Sequence, residues 1–158
     1  MERVKSHTYS VDVAWTGDRG SGTDGYRNYG RDHVVSAGGK PDLLGSADPS
    51  FLGDSERWNP EELLLAALSQ CHMLWYLGIA AASGVVVVAY TDHPAATMIE
   101  NPDGSGEFSE AVLQPEVTVA DPSMVARAEH LHPKANAKCF IARSVNFPVH
   151  HRGSVYVQ

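Results

Sequence analysis

The sequence has little sulfur and little positive charge. Only two of its 158 residues are cysteine, and 12 lysines and arginines face 19 aspartates and glutamates, for a net charge of -7. Such a field repels polyanions, which argues against a nucleic-acid or anionic-membrane surface and leaves small molecules or other chains as partners. The first residues, MERVKSHTYSVDV, lack the apolar centre of a signal peptide, and no uninterrupted apolar run reaches membrane-spanning length. The expectation is a soluble, cytoplasmic chain forming a single domain over residues 1–158. Metal motifs are missing too. There is no CxxC and no HExxH, and adjacent Cys71 and His72 would point about 100° apart on a helix. Most of the eight histidines read as surface or capping residues, and no metal or cofactor is expected. Two cysteines in a reducing compartment make a permanent staple improbable, so any pairing would be transient and catalytic.

What the chain does have is one dominant segment, Asn59 to Gly84, NPEELLLAALSQCHMLWYLGIAAASG. Asn59 can cap, Pro60 fits the first helical position, Glu61 and Glu62 suit the positive end of the helix dipole, and Gly84 can stop it. Apolar residues cover more than one stripe, which predicts a helix buried on most sides. Before it, Thr8–Thr16 alternates as a half-buried strand, Gly17–Thr23 is a glycine-rich turn without the GK[ST] ending of a phosphate loop, and Tyr26–Val35 reads as a second strand. Ser36–Trp58 is loop-like, with a short strand near Leu43–Leu44. After it, Val85–Thr91 predicts a buried strand, Thr97–Glu100 another, and Glu107–Ala120 a strand interrupted at Pro115. Asp121-Pro122 opens a second helix that Pro133 should kink or restart through Cys139, Phe140 and Ile141. Strand from Val145 to Val149, extending towards Val157, closes the chain. The order predicts an α+β fold, with helices on a largely antiparallel sheet.

NPEEL, with a cysteine ten positions beyond its first Glu, resembles the active-site helix of the OsmC/Ohr family, the osmotically induced and organic hydroperoxide resistance proteins. The resemblance implies an OsmC-like fold, with largely antiparallel sheets packed on a long central helix and a second helix in an intertwined homodimer. It also implies a cysteine-based peroxidase with sites at the subunit interface, a small hydroperoxide substrate and an external dithiol reductant. Carried over by residue, it makes Cys71 the attacking thiol, Glu61 the carboxylate of a charge network and Cys139 the thiol that forms the disulfide. Arg19, in RGSGT, matches the family's activating arginine, with Arg31 the second candidate. The resemblance departs around Cys139, where CFIARSVNFPVHH has no proline just after the cysteine. Ten residues of helix is about 15 Å of rise, so Glu61 is either merely a first-turn carboxylate or serves a cysteine on another subunit, and the resemblance implies the second. Two other readings stay open: a non-catalytic member of the fold that binds a small molecule or is structural, and a hydrolase or transferase using Cys71 with His72 or His132 as base.

Overall fold

The computed structural model describes residues 4–158. The chain divides into two compact units, the first ending at Leu63 and the second beginning at Leu64. In the first, β1 (Asp12–Trp15), β2 (His33–Ser36) and β3 (Leu43–Gly45) form an antiparallel sheet in that order, with Trp15 opposite His33 and Val34 opposite Leu44. Two expectations are corrected here. β1 is shorter than the alternating run and is exposed on both faces, Val13 being 65% and Trp15 47% accessible. The second strand begins only at His33 because Tyr26–Gly30 is turn, closed by the Asn28 amide on the Gly25 carbonyl.

Two glycines lock the base of that turn. The Gly30 amide donates to the Gly17 carbonyl at 2.7 Å, and Trp15 Nε1 donates to the Gly30 carbonyl at 2.8 Å. A Cβ on Gly17 would sit 2.0 Å from the Gly30 oxygen. Gly17→Ala is therefore expected to displace the turn and lower the melting temperature, whereas Gly38→Ala, in open space, serves as a neutral control.

Helix α1 (Pro60–Ala82) starts on a reciprocal cap: the Glu62 amide donates to Asn59 Oδ1 at 2.8 Å and the Asn59 amide to Glu62 Oε2 at 3.2 Å. Asn59→Ala should cost about 1 kcal/mol, readable as a lower urea midpoint. At the far end Gly84 turns left-handed, at φ 71°, and the Val85 amide closes on the Ala80 carbonyl. Arg127 Nη1 holds the Ser83 carbonyl at 2.8 Å. By length and composition α1 could cross a bilayer, a property that core helices of soluble proteins share.

In the second unit α1 is followed by β4 (Val87–Asp92), β5 (Ala95–Glu100), β6 (Gly106–Leu113) and β7 (Pro115–Val119). Then come α2 (Val125–Glu129), α3 (Leu131–Lys138), β8 (Val149–His151) and β9 (Ser154–Val157). The sheets run β4-β7-β9 and β5-β6-β8. β4 pairs with β7, and β5 with β6, antiparallel. The last strand of each sheet joins in parallel. This is the α+β, largely antiparallel arrangement that the element order predicts.

Four details differ from expectation, besides the closing strand, which begins at Val149 and not at Val145. Gln114 does not merely disturb one strand; it separates β6 from β7, which belong to different sheets. The valine run before Tyr90 is not buried throughout, Val86 and Val88 being 51% and 46% exposed. The break between the later helices falls at His130, and Pro133 sits in the first turn of α3, where a missing N–H costs nothing. Cys139 is the extended cap after α3, not a helical residue.

Only one face of α1, Leu68, His72, Tyr76 and Ile79–Ala80, is buried, at intervals of three to four residues, where the apolar coverage predicts burial on most sides. Leu68 packs with Ala111 and Leu113 of β6. Tyr76, Ile79 and Ala80 pack with Val117 and Val119 of β7, Ala128 of α2, and Leu131 and Ala135 of α3. α1 thereby serves both sheets of this unit.

Candidate functional site

Both cysteines are free thiols, and they are neighbours: Cys71 lies close enough to Cys139 to raise its pKa. Their surroundings differ. Cys71 is half-buried and lines an apolar cavity of about 280 Å³ walled by Ala67, Leu74, Trp75, Phe140 and Ile141. Cys139 is only 1% exposed. Burial pushes its thiol up to about 11; the Ala142 amide, which donates to Sγ at 3.4 Å, works against that shift, and the neighbouring Cys71 adds to it. The cap geometry explains the proximity, because the chain leaves α3 extended at Cys139 and turns again at Ala142–Ser144. Trp75 meets Phe140 edge to face, with ring centroids 5.4 Å apart, and so closes one side of the cavity.

Sequence reasoning missed a histidine cluster behind the thiols. His72 is fully buried and His132 is 4% exposed. His72 Nε2 lies 3.0 Å from His132 Nδ1. The two rings stack 5.3 Å apart with planes 6° from parallel, and His151 of β8 stacks beside both. Burial holds His72 and His132 down at about 4 from the usual 6.5. For His72 the charge of His151 adds to this; for His132 the charges of His72 and His151 do, against an opposing pull from Asp92. The remaining ring nitrogens, His72 Nδ1 and His132 Nε2, are buried without partners. The rings are stacked, not convergent, and among the described residues no group of three His, Cys, Asp or Glu side chains could hold a metal ion. Neither imidazole hydrogen-bonds a cysteine, so the alternative reading of His72 or His132 as a base for Cys71 finds no contact.

The other expected site residues lie in the first unit. Arg19 and Arg31 line one polar cavity of about 310 Å³ with Asp18, Asp32 and Asp54. Arg31 is already engaged: its guanidinium donates to the Tyr29 and Tyr26 carbonyls at 2.5 and 2.6 Å and lies 4.0 Å from the Tyr29 ring centroid. Arg19 is exposed at the tip of a turn in which Asp18 accepts from the Gly20 and Gly22 amides. Glu62, not Glu61, is the capping carboxylate, and within its own unit Glu61 has no ion pair. Among the described residues, the arginine that forms ion pairs is Arg57, whose Nε is 3.4 Å from Asp32 and 3.7 Å from Asp54; no motif pointed to it.

The family description "OsmC-like protein" matches residues 53–152, which hold α1, both cysteines and the histidine cluster. The chain belongs to the OsmC-like protein family. An OsmC-like protein of unknown function from Vibrio cholerae is 33% identical, covering 94% of this chain and 100% of its own, with a TM-score of 0.83. Two more distant structures share the OsmC-like fold. An organic hydroperoxide resistance protein from Elizabethkingia anophelis, with thiocyanate bound, has 15% identity, TM-score 0.68, and coverage of 98% of this chain and 100% of its own. A protein described as organic hydroperoxide resistance protein OsmC, from Legionella pneumophila, has 18% identity, TM-score 0.68, and coverage of 96% and 99%. No curated protein matches the sequence.

Proposed function

We propose that this OsmC-like protein is a thiol peroxidase that reduces organic hydroperoxides. The observation that carries the reading is the unequal thiol pair: one cysteine opens onto an apolar cavity, and the other is buried against it. The Cys71 thiolate attacks the outer oxygen of the hydroperoxide. An S–O bond forms, the O–O bond breaks, and the departing alkoxide takes a proton to leave as alcohol. Cys139 then attacks the Cys71 sulfenic acid; the S–S bond forms and water leaves with the Cys139 proton. Two electrons from an external dithiol restore both thiols. Burial keeps Cys139 protonated near neutral pH and therefore out of the first step, so the order of attack follows from environment.

The charge network is assigned to Arg19 and Glu61, since Arg31 is held by carbonyls and Glu62 by the helix cap. A homodimer with sites at the subunit interface belongs to the same proposal. It is supported by apolar side chains left open to solvent, Val11, Val13 and Trp15 in the first unit and Leu74 and Phe140 in the second.

To test this, reduced protein is mixed with one equivalent of cumene hydroperoxide or of hydrogen peroxide, and free thiols and intact mass are followed. The expected result is rapid loss of both thiols with cumene hydroperoxide, a slower loss with hydrogen peroxide, and, in Cys139→Ser, a single added oxygen on Cys71. Thiols that survive excess peroxide would remove the catalytic reading and leave a ligand-binding member of the fold.

A further inference from the structure

Cys71 and His72 are neighbours on α1 whose side chains leave the helix in different directions, and each has a partner on the α3 segment. Cys71 neighbours Cys139, the residue that ends α3. His72 Nε2 reaches Nδ1 of His132, in the first turn of α3, at 3.0 Å. One turn further along α1, Tyr76 stacks on His132 with ring centroids 4.3 Å apart and donates from its hydroxyl to the Ala128 carbonyl. α3 is thus tied to α1 at both ends, by an imidazole pair where it begins and a thiol pair where it stops. The backbone also leaves room for the imidazole, since a Cβ on Gly153 would meet His132 Nε2 at 2.6 Å.

We propose that His72 and His132 are positioning residues that hold Cys139 against Cys71, and that they do so only while both rings are neutral. In the neutral pair one ring nitrogen donates and the other accepts. A first added proton places a charge in the core, and a second removes the acceptor and sets two cations face to face. The groups facing the pair give little relief. They are Tyr76 on α1, Tyr90 behind it on β4, Asp92 on β4 and His151 on β8. Asp92 already accepts from the Ser69 hydroxyl and the Gln114 amide, and the His151 imidazole adds positive charge when protonated. Acid therefore loosens the start of α3 and, through it, the approach of Cys139.

The proposal concerns the cysteine pairing alone and does not require a peroxide, so it can be tested in a glutathione redox buffer. Each protein disulfide formed there consumes one oxidised glutathione and releases two reduced. The full chain is equilibrated at pH 7.5 and, with a selenol to catalyse exchange, at pH 4.0, acid-quenched and alkylated, and the Cys71–Cys139 disulfide is measured by mass. His132→Leu should lower the disulfide equilibrium constant about tenfold at pH 7.5, the effect of leaving one buried partner unbonded. His132→Asn, which keeps a hydrogen-bonding atom near the Nδ1 position and cannot be protonated, should restore most of it. The wild-type constant should fall about two- to threefold on going to pH 4.0, where roughly half of each ring carries a proton, and that of His132→Asn should stay nearly flat. Should His132→Leu not fold, as judged by circular dichroism, the pH comparison of wild type with His132→Asn decides. Identical pH profiles for those two, an unchanged constant in a folded His132→Leu, or no disulfide in wild type at any glutathione ratio would each overturn the proposal.

Discussion

Cys71→Ser is expected to reduce peroxide consumption to the uncatalysed background. The substitution exchanges one atom at a half-buried position on the longest helix, so the cavity walled by Leu74, Trp75 and Phe140 keeps its shape. The chemistry does not survive the exchange, because a serine hydroxyl supplies almost no anion near neutral pH and cannot accept the peroxide oxygen as a stable sulfenic acid. Cys139→Ser should behave differently. Its first turnover should remain fast and its second should stall, since only the step that consumes the sulfenic acid is missing. Peroxide remaining after a single turnover, measured with and without dithiol, separates the two variants. A Cys71→Ser protein that still consumes hydroperoxide at the wild-type rate would place the chemistry elsewhere.

The second large effect is on stability in acid. His72 and His132 titrate near 4 in the folded chain against 6.5 as the ordinary value. Below 6.5 the unfolded chain takes up protons that the folded chain refuses, so folded stability falls as pH falls. The contribution is complete above pH 6.5 and is lost progressively down to about 4. Its size is on the order of 3 kcal/mol for one such ring, against a usual total of about 5–15 kcal/mol. The carboxylates held low by turn hydrogen bonds, Asp18, Asp48, Asp103 and Asp121, titrate below the usual 3.8 and so act at lower pH. Urea midpoints at pH 7.5, 5.5 and 4.5 should therefore drop steeply in wild type and less in His132→Asn. A flat wild-type series would contradict the burial of neutral imidazoles.

The sequence announces α1 almost in full. Asn59, Pro60 and the two glutamates set its start, and Gly84 sets its end, because capping is local chemistry between residues a turn apart. The thiol pair is not local: Cys71 and Cys139 lie on different elements, and only the family resemblance pointed to their pairing. The histidine cluster could have been partly foreseen. His72 stands four residues after Leu68 and four before Tyr76, on the face that the apolar spacing buries; its partner, sixty residues away, left no such trace. β1 shows the opposite failure, since alternation gives two faces but does not say whether anything covers them. Pro115 and Pro133 marked irregularity correctly, yet the breaks fall at Gln114 and His130, where backbone geometry rather than composition decides.

The nearness of Cys71 and Cys139 also has a mechanical side. A bond between them would close a loop of about 70 residues, enclosing β4 to β7 and the two later helices, and such a closure removes roughly 4 kcal/mol of chain entropy from the unfolded ensemble. A chain oxidised at this pair would then outlast its reduced form on heating, so its melting temperature would itself report whether the last oxidising equivalent had been passed on.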